Sequence, residues 1–434
     1  MGEMLELVIS DENMQRALGC LNLSACSGID RQRPRSLVDH FSLSKEKLKK
    51  QIRNGTYKPT PLCRVYIPKK GKDNEYRMLG IPTAKDRMIQ FAIAQVIAPL
   101  YQPEFSPCSF GFIKGRKCYD ALKYVLRLAD QGKNFAVSID LRKFFDTVPH
   151  ESVMRILKKK IKDEELLNLI HRYLVNGAIE VDTDEKKHRI KTTKGVPQGS
   201  PLSPLLANII LNELDTYLHQ HHISFARYAD DCMILTGGIR EALATFEHVS
   251  AFIEDKLNLE INYEKTKLCD ITEAEYLGFS FRKDLFGYSV DVSEQKFISL
   301  KERMMAVMVE YYGDVSPKAF AQRLMTLTRG WINYYGMADI RDRLKEIDNW
   351  FENEILGVNK YKNDVINKEV IELVAAGVDR KRAECIVNKS AYVNQDSVLP
   401  HGVTPRRQYK WLLQAGYKTC VELFDERRKK NDNE

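Results

Sequence analysis

Apolar and polar residues alternate in several short stretches of this chain, and this pattern predicts strands. Phe135, Val137 and Ile139 share one face of a run that ends at Asp140, because successive side chains of a strand point to opposite faces. A second pair of short strands is predicted on either side of residues 228–231, Tyr-Ala-Asp-Asp. The two patterns place three carboxylates at strand ends.

A third strand pair is predicted near the N-terminal end. Arg64–Pro68 alternates as a strand, 69–75 reads as a turn, and Tyr76–Pro82 returns as its partner. The turn carries Lys69, Lys70 and Lys72, and ammonium groups pair well with phosphate oxygens. The hairpin is therefore a candidate phosphate clamp, although a solvated loop has the same composition.

In other regions, the apolar residues recur with the period of a helix. Residues 205–218 are predicted as the most apolar helix, and 156–174 as helical. Three helices are predicted within 298–356, where Phe320, Leu324, Leu327 and Trp331 share one helix face, as expected from a repeat of 3.6 residues. Residues 364–434 read as a small helical extension.

The carboxylates are the candidate chemistry. Asp230 and Asp231 are adjacent and repel each other, so a cation between them is expected, although Asp is also a common turn residue. Asp140 favours the cation site over a simple turn, because a third hard oxygen ligand suits Mg²⁺. Two such ions, about 3.5 to 4 Å apart, are typical of phosphoryl-transfer sites.

Three motifs also carry a family resemblance. Phe-Ala-Arg-Tyr-Ala-Asp-Asp-Cys at 225–232 resembles the catalytic motif of reverse transcriptases, and 140–146 resembles their first carboxylate motif. Gly-Val-Pro-Gln-Gly-Ser-Pro at 195–201 and the helix after it are similar to the matching loop of group II intron-encoded reverse transcriptases, or maturases. The resemblance extends in order over roughly 40 to 420, and no His-Asn-His or Cys-paired endonuclease motif follows it.

The resemblance implies an α+β right-hand polymerase. Fingers with an N-terminal extension would occupy 1–134, and a palm with an antiparallel sheet 135–290, with part of the fingers near 155–195. An all-helical, maturase X-like thumb would follow at 291–360, and a helical C-terminal extension at 361–434.

The resemblance also assigns roles to residues. Asp140, Asp230 and Asp231 would be catalytic and, with Leu141, would bind two Mg²⁺ ions, for which Mn²⁺ is a substitute. Phe145 is the candidate for packing under the deoxyribose, with Phe144 as the alternative, and Asp146 is expected to cap the helix from His150. Nucleotide contacts are expected from Lys69, Arg77, Gln198 and Lys265, and nucleic-acid contacts from Arg116, Tyr228, Gly278 and Arg329. For the segment 109–116, which contains Arg116, a structural turn is an equal alternative.

The charge distribution and the cysteines indicate which partner and which cellular compartment to expect. The net charge is +8, and between Lys45 and Arg87 there are 13 Lys and Arg against 4 Asp and Glu. A basic front half predicts a polyanionic partner, although solvated helix faces also carry such clusters. Nine scattered cysteines without a Cys-x-x-Cys pair predict reduced thiols. With no secretory signal and no apolar run of 18 residues, we expect a cytoplasmic protein without membrane spans.

The predicted reaction is extension of a primer on an RNA template with dNTPs. The primer would be DNA or RNA, and a group II intron RNA is a further expected partner. Two alternatives remain at this point. One is an RNA-binding splicing cofactor, and the other is a domesticated relative that acts in DNA repair or phage defence.

Overall fold

The computed structural model describes residues 2–68, 76–181, 187–311, 316–355, 374 and 405–431. The chain forms two compact units, Met1–Leu277 and Gly278–Glu434. Within the described residues, none of the helices combines the length and the apolar character needed to cross a bilayer.

The first unit alternates helices and short strands. Its helices are α1 (Glu3–Val8), α2 (Asp11–Gly19), α3 (Pro34–Arg53), α4 (Ala84–Tyr101), α5 (Cys118–Asp130), α6 (Phe144–Thr147), α7 (His150–Lys160), α8 (Glu164–Val175), α9 (Ser203–Gln220) and α10 (Ile239–Asp255). Its strands are β1 (Leu62–Pro68), β2 (Tyr76–Ile81), β3 (Phe135–Ile139), β4 (Ala178–Val181), β5 (Lys187–Ile190), β6 (Ser224–Tyr228), β7 (Asp231–Thr236), β8 (Lys267–Asp270) and β9 (Glu275–Tyr276).

An antiparallel sheet in the order β6-β7-β3-β8 lies at the centre of this unit. Its inner face is apolar, and Val137, Phe225 and Ile234 are almost completely buried. The predicted apolar helix, α9, buries Leu206, Ile210 and other residues in the same core. The sheet therefore rests on a close-packed base, and its strand ends are held in fixed positions.

A second sheet has the order β2-β1-β4-β5. Strands β1 and β2 pair antiparallel as the predicted hairpin, from Cys63 opposite Ile81 to Pro68 opposite Tyr76. Strand β4 joins β1 in parallel, so the polar hairpin β4–β5 extends the same sheet. The tip of the first hairpin, with Lys69, lies outside the described residues.

The second unit begins with a hairpin and continues as helices. Its elements are β10 (Phe279–Asp284), β11 (Gly287–Asp291), α11 (Glu294–Tyr311), α12 (Pro317–Tyr335), α13 (Arg341–Ile355), α14 (Pro405–Gln414) and α15 (Cys420–Asn431). Ser316 caps α12 by accepting a hydrogen bond from the Ala319 N–H. Asp348 on α13 accepts the Cys420 and Val421 N–H groups at 2.8 and 2.9 Å, which joins α15 to α13.

One local prediction is wrong, one is incomplete, and the α+β class is confirmed. Residues 156–174 are helical but form parts of two helices, because Asp163 caps α8 by accepting the Leu166 N–H and starts a new helix there. Asp146 does not cap α7, since it lies inside the short helix α6 and Pro149 holds the cap position without a side-chain bond.

Candidate active site

The Tyr-Ala-Asp-Asp stretch forms the turn of the β6–β7 hairpin. Tyr228 pairs with Asp231, so Ala229 and Asp230 are the two turn residues. Ala229 has a φ of 57°, a left-handed conformation that costs free energy in any residue with a Cβ. The surrounding contacts must therefore hold the turn in place.

Asp140 reaches the same place through the sheet register. Strands β3 and β7 are antiparallel, and Ile139 lies opposite Cys232. The next residues outward are Asp140 on one strand and Asp231 on the other, so the chain brings together carboxylates that are 91 positions apart in the sequence. The structure thus gathers the three aspartates that the sequence singles out.

The electrostatics at the turn reflect this convergence. Burial raises the pKa of the Asp230 carboxyl, and the charge of Asp140 raises it further. The pKa of Asp231 rises to about 7, mainly through desolvation and then through the charge of Asp230. Asp231 keeps an exposed surface, through which solvent screens part of the repulsion from its charged neighbours. The Leu277 N–H donates to the Asp231 carboxylate and opposes the shift.

The donor set fits a hard divalent cation in its chemistry. Asp140, Asp230 and Asp231 supply carboxylate oxygens, and Leu141 supplies a carbonyl. Leu141 forms a bridge to Ile261, which is flanked by two hydrogen bonds, from the Arg142 N–H to the Glu260 carbonyl and from the Asn262 N–H to the Asp140 carbonyl. Neither of these bonds uses the Leu141 carbonyl. Oxygen ligands of this type are those that Mg²⁺ prefers. Among the described residues, however, no group of three His, Cys, Asp or Glu side chains is arranged to hold an ion.

A buried ion pair lies beneath the turn at 228–231. Arg227 donates to both oxygens of Asp215, at 2.7 and 2.5 Å, and both side chains are about 1% exposed. The same guanidinium donates to the Asn208 side chain at 3.0 Å and to the Ala229 carbonyl at 2.8 Å. Removing one member of such a pair leaves an uncompensated buried charge and is strongly destabilising. The network fixes the strained Ala229.

The loop before α5 packs against the other side of the turn. The Phe110 N–H donates to the Arg227 carbonyl at 2.8 Å, and Asn208 donates to the Gly111 carbonyl at 2.8 Å. A Cβ on Gly111 would lie 2.3 Å from the Ala229 nitrogen, so only glycine permits this approach.

Arg116 closes this loop from within. Its guanidinium donates to the carbonyls of Ser106 and Ser109, and burial lowers its pKa. Because these donors are already used, the contacts favour the structural alternative for Arg116 over the predicted phosphate contact.

Asp140 is held by the segment after α10. Asn262 donates from its side chain to Asp140 Oδ2 at 2.8 Å, and from its backbone to the Asp140 carbonyl at 2.8 Å. The Lys265 Nζ lies 3.9 Å from the same Oδ2. Lys265 is therefore next to the carboxylates, where the sequence places a nucleotide contact.

Arg77 lies on β2 of the β1–β2 hairpin, and Gln198 lies in the loop before α9. The charge of Arg77 lowers the pKa of Asp230, so Arg77 acts electrostatically on this carboxyl. The Gly80 N–H donates to the Gln198 carbonyl at 2.8 Å. The loop is thus bound to the hairpin strand that carries Arg77.

Phe145 and Phe144 differ in burial. Phe144 is 2% exposed and belongs to the core, whereas Phe145 is partly exposed and packs against the core edge. The Val196 N–H donates to the Phe145 carbonyl at 2.7 Å, which joins Phe145 to the loop of Gln198. Of the two rings, Phe145 is the one with a surface that a nucleotide can contact.

The remaining predicted residues lie in different places. Tyr228 ends β6, half-buried, directly before the turn. Gly278 begins the second unit with a φ of 77°, and Arg329 lies exposed on α12 in that unit. Lys69 is outside the described residues.

The sequence interpretation missed the residues that support the aspartates. They are Gly111, Asn208, Asp215 and Asn262, with Arg227, which lies inside the quoted motif but received no role. Asn208 ends the motif that begins at Gly195, and Asn262 precedes Lys265 by three positions. Their positions within or near motifs were the available signal.

Comparisons with known proteins show which families the sequence matches. Residues 67–281 match the profile of the reverse transcriptase (RNA-dependent DNA polymerase) family, and 299–364 match the group II intron, maturase-specific domain. Protein YkfC of Escherichia coli is 30% identical over 292 residues, which cover 58% of this chain and 74% of that protein. The group II intron-encoded protein LtrA of Lactococcus lactis is 31% identical over 307 residues, which cover 55% and 50%.

A solved structure of telomerase from Candida albicans aligns with a TM-score of 0.42 and 12% identity, over 87% of this chain and 70% of that chain. The chain spans only about half the length of LtrA. Family membership rests on the sequence matches, which cover both units in the order that the motifs predicted. The chain belongs to the group II intron type of reverse transcriptases, which are RNA-dependent DNA polymerases, and it carries their maturase-specific domain.

Proposed function

We propose that this chain extends a primer 3′ end on an RNA template with dNTPs, at the site formed by Asp140, Asp230 and Asp231. The observation that carries the proposal is the β3–β7 register, which aligns Asp140 with Asp231 beside the turn bearing Asp230. Two divalent cations bound there would activate the primer hydroxyl and stabilise the leaving oxygen. Mg²⁺ is the proposed ion, with Mn²⁺ as a substitute.

The other residues have proposed roles in holding the nucleotide. Arg77, whose charge acts on Asp230, would pair with phosphate oxygens. Phe145 would pack under the deoxyribose, where a 2′-hydroxyl would collide with the ring. Gln198 lies on the loop that is hydrogen-bonded both to β2, which carries Arg77, and to Phe145. Lys265, beside Asp140, is placed to bind the phosphates or to protonate the leaving pyrophosphate.

Asp230→Asn tests the proposal. Asparagine keeps the shape of the side chain but removes the charge that a cation requires, so we expect extension of oligo(dT) on poly(rA) to be lost while RNA binding persists. Asp39→Asn, on the exposed surface of α3, is the matched control and should extend normally. Synthesis by the Asp230→Asn variant would refute the metal assignment.

A second role is supported by the maturase-specific match at 299–364. We propose that the chain also binds a group II intron RNA and promotes its splicing, and this match favours that role over a domesticated one. A splicing assay with the RNA that flanks the gene tests this role. Stimulation of splicing by the Asp230→Asn variant would separate it from polymerisation, and failure of the wild type to stimulate would refute it.

A further inference from the structure

Asn262 is bonded to Asp140 through both its backbone and its side chain, although the two residues are 122 positions apart in the sequence. Its backbone N–H and its side-chain amide both donate to Asp140, each at 2.8 Å. Its carbonyl accepts the N–H groups of Lys265 and Thr266 at 3.1 and 2.9 Å. The Thr266 hydroxyl then accepts the Asp140 N–H at 3.3 Å. Asn262 is thus the centre of a closed ring of bonds around Asp140.

The side-chain bond selects one oxygen of Asp140. Both the Asn262 amide and the Lys265 ammonium lie near Oδ2. Within the described part of the chain, Oδ1 accepts no hydrogen bond. A neutral amide fixes the carboxylate without adding a positive charge, so it holds the group without competing electrostatically with a cation. Lysine at this position would compete.

The other atom of the amide supports this interpretation. Asn262 Oδ1 is buried and has no hydrogen-bond partner among the described residues. An unsatisfied buried carbonyl costs free energy, and leucine, which has the same branching and the same number of heavy atoms, would avoid that cost. A purely structural role would therefore be served as well by leucine. The cost is offset only if the N–H bond to Asp140 matters.

We infer that Asn262 is a positioning residue for metal binding, which holds Asp140 Oδ2 so that Oδ1 faces the divalent cation. The inference rests on the proposed function. Hydrogen bonds to the ligands of a metal orient them, and their loss typically lowers metal affinity by about 10- to 100-fold. Because Asn262 does not touch the ion, its removal should weaken binding without abolishing it.

The test variant is Asn262→Leu, which keeps the branching at Cγ and the number of heavy atoms and removes the donor. The matched control is Tyr263→Phe, which removes the bonds from the neighbouring hydroxyl to Glu254, at 3.1 Å, and loosens the same segment without touching Asp140. Binding of dTTP is measured on poly(rA) annealed to a dideoxy-terminated oligo(dT), which blocks chemistry, while Mg²⁺ is titrated. Thermal unfolding in EDTA is measured alongside.

We expect Asn262→Leu to raise the half-saturating Mg²⁺ concentration about 10-fold or more, with an unfolding temperature in EDTA equal to or above that of the wild type. Tyr263→Phe should leave the Mg²⁺ requirement unchanged. A half-saturating Mg²⁺ concentration within twofold of the wild type in Asn262→Leu, or an equal rise in both variants, would overturn the inference alone. A wild type that retains no dTTP at any Mg²⁺ concentration would overturn the proposed function, and with it the inference.

Discussion

Phe145 is the residue whose role depends most on its neighbours, because an identical ring precedes it in the chain. Replacing Phe145 by alanine removes the surface on which a 2′-hydroxyl would collide, so we expect the ratio of ribonucleotide to deoxyribonucleotide incorporation to rise. Single-nucleotide extension with rTTP and dTTP on poly(rA) measures that ratio.

Phe144→Leu is the control for the Phe145 prediction. Phe144 is buried, so this change should lower stability and leave sugar selectivity intact. Unchanged selectivity in Phe145→Ala, together with a change in Phe144→Leu, would move the assignment to Phe144.

The ionisation of Asp231 makes the stability of the folded protein depend on pH. Its pKa in the folded protein is about 7, above the ordinary value of 3.8, so the folded state binds a proton more readily than the unfolded state. The resulting stabilisation is complete below about pH 4 and is lost as the pH rises through 7. In EDTA, we expect the unfolding temperature of the wild type to fall between pH 5 and pH 8 by more than that of Asp231→Asn.

Thermal unfolding of both proteins across this pH range measures the difference. Added Mg²⁺ should restore the wild type at pH 8 and leave Asp231→Asn less affected, because a bound cation favours the ionised carboxylate. Parallel pH profiles for the two proteins in EDTA would contradict the assigned pKa shift.

The β6–β7 hairpin, which carries Asp230 and Asp231, depends on two other elements, α9 and the loop before α5. Gly111 in that loop contacts the backbone of the turn, and the Cβ of an alanine there would overlap the Ala229 nitrogen. The turn would have to move, and a displacement of about 1 Å can cost about 100-fold in rate. We therefore expect Gly111→Ala to reduce poly(rA)-directed extension by about this factor.

Gly330→Ala provides the comparison for Gly111→Ala. Gly330 lies inside α12, where a Cβ would meet no atom within 4 Å, and alanine favours a helix over glycine. The stability of this variant should be equal to that of the wild type or higher. Circular dichroism establishes that both variants are folded, and normal extension by a folded Gly111→Ala protein would show that the turn tolerates the shift.

The charge distribution of the whole chain predicts how it grips nucleic acid. Lys47, Lys50 and Lys58 are exposed within the basic segment 45–87. Each lysine that contacts a phosphate of a single strand contributes about 0.7 to the slope of log affinity against log salt. Changing all three to glutamine should therefore weaken RNA binding and lower that slope by about 2.

Fluorescence anisotropy with labelled RNA at several salt concentrations measures the slope. The control replaces Lys123, Arg240 and Lys256, which are exposed outside the basic segment, and removes the same total charge. Equal losses in the two triple variants would mean that net charge alone, rather than the basic segment, attracts RNA.

The sequence by itself determined the strands at 64–68, 76–82, 135–139 and on either side of 228–231, most helix positions, the choice of the three aspartates and the family. Each of these depends on residues that are close together in the chain, such as the alternation in 135–139 or the eight residues of 225–232. The break between α7 and α8 is not visible in the hydrophobic pattern because the apolar period continues across it, while a single capping aspartate, Asp163, starts the new helix.

Only the tertiary structure decided which residues support the aspartates. Asp140 meets Asp231 through a strand register, and Asn262 meets Asp140 through a contact between residues 122 positions apart. The sequence likewise left the role of Arg116 balanced, and burial of its guanidinium against backbone carbonyls favours a structural one. Hydrogen bonds and burial between distant segments leave no local pattern in a chain, and these contacts arise only when the strands pair and the loops close over them.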